Sequence, residues 1–221
     1  MLTADRLLAL AATGLVAAAL ATIARRDPEG AAARAIRAGL TVALLGGAAV
    51  YVAAEWRAGR LSPWDFLPLH LCDFAIFMAA FALVTRRRGA AEVVWFWAMS
   101  GTVLAMVTPD VDDGFPDARW LAYYGMHGAV VASAVVLAVG LGLRPRPGAP
   151  WRAFGWTLAY AAVVGAVDLA TGANFLYLRE KPPNPTLLDL FGPWPVYIGV
   201  AGLVALGLFA LLYLPFRRRA G

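Results

Sequence analysis

Phe66 to Val84 reads FLPLHLCDFAIFMAAFALV and runs directly into Thr85 and three arginines, Arg86, Arg87 and Arg88. The stretch carries a single formal charge, Asp73. As an α-helix it would be about 28 Å long, close to the hydrocarbon thickness of a bilayer. Six more apolar runs lie between knots of charge or turn residues: Leu7 to Ile23, about Ala38 to Trp56, Val93 to Thr108, Trp120 to Leu143, Phe154 to Thr171 and Trp194 to Phe216. The pattern predicts an all-α, polytopic membrane protein. Its 221 residues form a single transmembrane domain, a bundle of seven helices.

Composition supports this reading. Hydrophobic residues make up 61% of the chain, charged residues 15%, and the mean hydropathy is +0.68. A soluble domain carries roughly 25% charged residues. One cysteine rules out an internal disulfide framework. The net charge of +5 does not indicate nucleic acid, because the basic residues cap apolar runs and form no stripe interleaved with aromatics. The first run has one arginine before it and two after it. A secretory signal has the opposite bias, so the run is read as a retained helix.

With seven spans the termini lie on opposite sides. Thirteen basic residues fall on one side and six on the other. The positive-inside rule then puts the amino terminus outside and the carboxyl terminus in the cytoplasm. Asp110, Asp112, Asp113 and Asp117 crowd one outer loop and read as solvated. The last outer loop, Gly172 to Pro193, is long and rich in Pro and Gly, as lids often are. Its Leu187, Leu188, Leu190 and Phe191 predict that it folds back onto the bundle or the interface. Trp56, Trp64, Trp95, Trp97, Trp120, Trp151 and Trp194 read as an interfacial belt.

Ionisable residues inside spans are costly and mark candidate sites. Here they converge on one depth. His70, Cys72 and Asp73 open the third span, His127 lies in the outer half of the fifth, and Asp168 lies near the outer end of the sixth. Asn174 and Tyr177 follow in the lid loop, and Tyr124 precedes His127 by one turn. Ser62-Pro63-Trp64-Asp65 resembles a capping box, so the third helix is expected to start there and kink at Pro68. At 100° per residue His70 and Asp73 share a face, while Cys72 points about 200° away from His70. A base for the thiol should then come from another helix, and His127 is the other histidine. The bland readings are a cysteine that fills space, histidines that bridge helices, and aspartates that satisfy backbone groups. Lys181 is the single lysine and lies in the outer loop, which excludes a retinal Schiff base. No intramembrane arginine run or phosphate cradle is present in the sequence, so a voltage sensor and a nucleotide loop are also excluded.

Leu67-Pro68-Leu69-His70-Leu71-Cys72-Asp73, then His127-Gly128, resemble motifs of the bacterial YwaF-type integral membrane proteins. So do Thr171 through Arg179 and the loop ending Gly192-Pro193-Trp194-Pro195. That group in turn resembles the eukaryotic transmembrane protein 164 family. The resemblance covers roughly residues 35 to 215, and it departs from the family pattern at Ala173-Asn174-Phe175. It implies a multi-pass protein of the bacterial inner (plasma) membrane acting on membrane phospholipids by cysteine-dependent acyl transfer or lipid hydrolysis. Cys72 matches the reactive cysteine and His127 the motif histidine. The expected catalytic set is Cys72, His127, Asp73 and Asp168, with His70, Asn174, Tyr177 and Tyr124 binding substrate. No cofactor and no metal are expected. Two alternatives stay open: a transporter or lipid-binding protein without chemistry, and a metal or haem site built on His70, Cys72, Asp73 and His127.

Overall fold

Inside a bilayer an apolar chain satisfies its amides and carbonyls by closing them into helices. The computed structural model describes residues 3–57, 59, 67–109, 114–182 and 186–217. Its seven long helices are α1 (Ala4–Arg26), α2 (Ala31–Arg57), α3 (Leu71–Thr85), α4 (Arg88–Val107), α5 (Ala118–Gly140), α6 (Ala149–Thr171) and α7 (Val196–Arg217), and the described residues contain no strand. Six of them are long and apolar enough to cross a membrane, and the fifteen-residue α3 is the short one. The fold is therefore that of a polytopic helical membrane protein.

Ion pairs and ring contacts fix which loops share an end. Arg86 pairs with Glu29, joining the α3–α4 and α1–α2 connections, and these bonds hold the Glu29 carboxyl below its ordinary range. Glu92 pairs with Arg146 and Arg152, adding the α5–α6 connection to that end. At the other end Glu55 of α2 pairs with Arg119 of α5 at 3.6 Å. His70, before α3, meets Phe175 and Tyr177 of the α6–α7 loop at the same end. The helices thus alternate in direction.

α4 and α5 form the centre. About half of each one's most apolar stretch is buried, against 11–17% for α1, α2, α6 and α7. Helix α1 docks on α5 through small residues. Ala17, Ala21 and Ala24 are buried, and a Cβ on Gly140 would stand 3.1 Å from Ala24 Cβ and 3.2 Å from the Ala21 backbone. Lipid tails are as apolar as leucine, so such a seam gains from close packing rather than from hydrophobic exclusion.

Three expectations are corrected. Helix α3 starts at Leu71 and not at Phe66, because Pro68 has no N–H to give and disfavours helical backbone at Leu67. The expected capping box at Ser62 to Asp65 lies outside the described residues, as do Trp64 and Asp110, Asp112 and Asp113. Trp95, Trp97 and Trp120 are buried (8%, 2% and 6% exposed) rather than interfacial. The first two can be buried because Trp95 Nε1 donates to the Leu212 carbonyl and Trp97 Nε1 to Thr157 Oγ1. Trp56, Trp151 and Trp194 are exposed near helix ends, as a belt requires. Helix α4 begins a turn earlier than the apolar run because Glu92, inside it, is neutralised.

That neutralisation is a latch. Glu92 is 2% exposed and accepts from the Arg146 amide, Arg146 Nε and Nη2, and Arg152 Nε and Nη2, at 2.8–3.2 Å. Replacing Glu92 with Ala should lower stability by about 2–3 kcal/mol. This is below the 3–5 typical of a fully buried pair, because the half-exposed arginines can hydrate. Thermal unfolding of the purified protein in detergent is the check, and an unchanged midpoint would refute the latch.

Candidate functional site

Residues 67–70 enter α3 as non-helical backbone. His70 occupies the N-cap position with extended geometry (φ −67°, ψ 148°) and makes no side-chain cap. The first-turn amides of Leu71, Cys72 and Asp73 form the positive end of the helix and take no cap from the His70 side chain. Leu69 N–H donates to the Leu67 carbonyl, and the Leu69 carbonyl accepts from Tyr160 Oη at 3.0 Å. Tyr160 stacks on Phe74 at 4.5 Å, and so ties α6 to the first turn of α3.

Helix α3 begins well below the ends of its neighbours. A Cβ on Gly101 would stand 3.3 Å from Leu71 Cδ2. Gly101 lies in a π-helical turn, Ala98–Thr102, and is six residues short of the end of α4, or about 9 Å of rise. Wide turns of this kind recur at functional sites. On α5, Tyr123 and Tyr124 donate their hydroxyls to the carbonyls of Ala105 and Met106. His127, one turn further along α5, lies at about the depth of Gly101 and so of Leu71–Cys72. Helices α3 and α5 pack directly against each other.

Asp73 sits amid polar groups. Its carboxylate interacts electrostatically with His70, Cys72, Tyr160 and Tyr51. Tyr51 in turn interacts with Glu55 and Arg119. Cys72 is a free, half-buried thiol. His70 leaves the helix face and lies against Phe175 (5.3 Å, edge-on) and Tyr177 (5.7 Å). Asp168 reaches the same cluster through the loop, since its Oδ1 accepts from the Phe175 amide at 2.9 Å. Asp168 is fully buried, and its Oδ2 has no partner among the described residues.

The imidazole of His127 is oriented by its own helix. Nδ1 meets the Tyr123 carbonyl at 2.8 Å, and the ring stacks on Tyr123 at 4.1 Å. A carbonyl only accepts, so Nδ1 carries the proton and Nε2 keeps its lone pair.

The structure thus gathers His70, Cys72, Asp73, Tyr177 and Asp168 around the start of α3, with His127 at matching depth on α5. Asn174 is engaged within the loop. Its Oδ1 accepts from the Arg179 and Glu180 amides, and its Nδ2 donates to the Glu180 carbonyl. Tyr124 packs on Trp120 at 4.5 Å and lines a groove facing α1. In the lid, Leu187–Phe191 forms a short 3-10 turn capped by Thr186 and Asp189; it packs against α7 yet leaves Leu187 and Leu190 exposed. Leu176 and Tyr177 both have φ of 55°, a left-handed conformation that strains side-chain-bearing residues and clusters at functional sites. Sequence reasoning passed over Tyr51, Glu55, Arg119 and Tyr160. Glu55 carried a readable signal, because it is an acidic residue inside an apolar run. Among the described residues no three His, Cys, Asp or Glu side chains are grouped so as to hold a metal ion.

A bundle of apolar helices with one polar cluster under a structured loop defines a multi-pass membrane protein with a candidate intramembrane site. A family model, the TMEM164 family, matches residues 1–213, and the chain belongs to that family. The match takes in α1, which lay outside the resemblance read from motifs. No curated protein and no solved structure matches the chain.

Asp168 holds the loop by one buried hydrogen bond. Asp168→Ala should therefore raise amide hydrogen exchange at Phe175 and its neighbours about tenfold, as expected for the loss of about 1–1.5 kcal/mol. Exchange mass spectrometry reads this directly, and unchanged protection would show that the loop is held by other contacts.

Proposed function

We propose that this protein is a cysteine-dependent acyltransferase or lipid hydrolase that acts on phospholipid esters within the bilayer. The observation that carries the reading is a thiol in the first turn of α3 and, on the neighbouring α5, an imidazole whose Nδ1 meets the Tyr123 carbonyl, so that Nε2 keeps its lone pair. Cys72 is the nucleophile. His127 Nε2 takes the thiol proton as sulfur attacks the ester carbonyl. The first-turn amides of α3, beside the Cys72 sulfur in sequence, would stabilise the oxyanion of the tetrahedral intermediate. Collapse of that intermediate breaks the ester C–O bond, and the leaving alkoxide takes the proton from His127. A thioester on Cys72 remains. An acceptor hydroxyl, or water, then gives its proton to Nε2 and attacks the thioester, which regenerates the thiolate.

Asp73 and His70 line the approach, and Tyr177 with Asp168 shapes the loop above them. The membrane is the plasma membrane of a bacterium, with the amino terminus outside, as the distribution of arginines supports. The site then faces the outer leaflet, with phospholipids as donor and acceptor.

Cys72→Ala should abolish acyl exchange between labelled phospholipids in reconstituted vesicles while leaving the melting temperature within a few degrees. His127→Gln should lower turnover by about 10²–10⁴-fold. A hydroxylamine-labile acyl adduct should map to the peptide carrying Cys72. Undiminished turnover in Cys72→Ala would end the proposal.

A further inference from the structure

The end of the bundle that carries Glu92 lies opposite His70 and Cys72 and holds more positive charge than it neutralises. We propose that it binds an anionic phospholipid by its phosphate, between the start of α4, the α5–α6 connection and the first turn of α6. The proposal does not rest on the thioester reading.

The site is built on Glu92. Its carboxylate lies between two guanidiniums, Arg146 at 2.8 Å and Arg152 at 2.9 Å, so the trio keeps one positive charge. Each arginine spends Nε and Nη2 on Glu92, and Arg152 Nη1 donates to the Pro147 carbonyl. Arg146 Nη1 has no acceptor among the described residues. Glu92 is 2% exposed, while the two arginine side chains are 47% and 43% exposed. Each fork is thus fixed by its inner edge and reaches the surface with the other. A planar fork already held in place gives up little freedom when it meets a phosphate.

Two more cations stand beside the trio. Arg88 lies one turn before Glu92 on α4 and shares its face at i, i+4. Arg144 lies two residues before Arg146 and is half-buried. Neither has a hydrogen bond or an ion pair among the described residues. A half-buried guanidinium without an acceptor carries a desolvation cost that an anion offsets. Arg217 follows Phe216, whose ring meets Trp95 edge-on at 5.1 Å, three residues beyond Glu92. Against these arginines, Glu92 is the one carboxylate in α4, residues 141–148, the first turn of α6 and α7.

The surroundings make the occupant a lipid. Trp151, next to Arg152, is 69% exposed at the end of an apolar helix, the place of an interfacial anchor, so the arginines lie at head-group level. Further along α6, Trp156, Leu158 and Val163 are exposed, a surface that acyl chains wet. A phosphate whose charge is not offset by a cation on its own head group complements the excess.

The test uses the full chain in detergent micelles with equal amounts of phosphatidylglycerol and phosphatidylcholine, read by native mass spectrometry. Phosphatidylglycerol adducts should dominate. Arg88→Gln and Arg144→Gln should each weaken that adduct about fivefold, and the double variant about twentyfold. Neither residue has a partner to lose, so the variants should melt close to the unaltered chain. Arg34→Gln removes the same charge from α2 at the same end, and should weaken the adduct by less than about twofold. Equal retention of the two lipids would overturn the proposal. So would a loss in Arg34→Gln as large as that in Arg88→Gln, which would mark a diffuse field rather than a site. Displacement of the lipid by soluble glycerol 3-phosphate would overturn it too, since the ligand would then be a free phosphate.

Discussion

A backbone that leaves its helix inside a bilayer must find partners for its amides and carbonyls, because hydrocarbon offers none. Residues 67–70 meet that demand within the protein. Leu69 bonds back to Leu67, the Leu69 carbonyl takes a hydroxyl from Tyr160, and the His70 carbonyl starts the α3 ladder at Phe74. Because these groups are satisfied, α3 can begin a turn or two below the outer ends of its neighbours. The rest of the site depends on that deep start. It puts the first-turn amides, Cys72 and Asp73 at the depth of His127, and it turns His70 outward against Phe175 and Tyr177.

The end of the bundle that carries Glu92 supplies the rigidity that such an opening requires. Glu92 draws the start of α4, the α5–α6 connection and α6 together, and Arg37 reaches the carbonyls of Leu83 and Val84 at the end of α3. Arg86 closes the same end against Glu29. The small-residue seam of Ala17, Ala21 and Ala24 with Gly140 lies toward this end too. The buried Glu92 latch and the small-residue seam lie toward one end, while the left-handed Leu176–Tyr177 backbone and the half-buried thiol lie at the other. Strained conformations persist where surrounding structure over-determines them, and here the ties from Asp168 to Phe175 and from Trp194 to Leu178 do so.

Much of this was legible in the sequence because hydropathy reports transfer free energy, and transfer free energy decides what crosses a membrane. The seven apolar runs follow from that alone. Pattern failed where a tertiary partner changes the cost of burial. Trp95 and Trp97 read as interfacial until Leu212 and Thr157 supply acceptors, and Glu92 read as a boundary until two arginines neutralise it. The start of α3 departs from the hydropathy pattern for a local reason, since Pro68 precedes the helix rather than kinking it. Tyr51 and Tyr160 carried no signal, because a tyrosine in an apolar run is unremarkable until its hydroxyl finds a carboxylate or a carbonyl.

Helix α5 shows why a two-faced element suits this architecture. One side presents His127, held by its own backbone so that no other side chain is needed to fix the tautomer. The opposite side carries Gly125, Gly128 and Ala129 and faces α1, whose Thr13 packs so close that a Cβ on Gly128 would stand 2.9 Å from its hydroxyl oxygen. Orienting the imidazole through the Tyr123 carbonyl keeps the two sides independent, so a change at the α1 contact need not disturb the ring. The glycines on that side also lower the helix propensity of the segment. The buried contacts of α5 with α1 and α4 offset that loss, and this is the physical reason for the glycine-bearing face to lie on one of the two most buried helices.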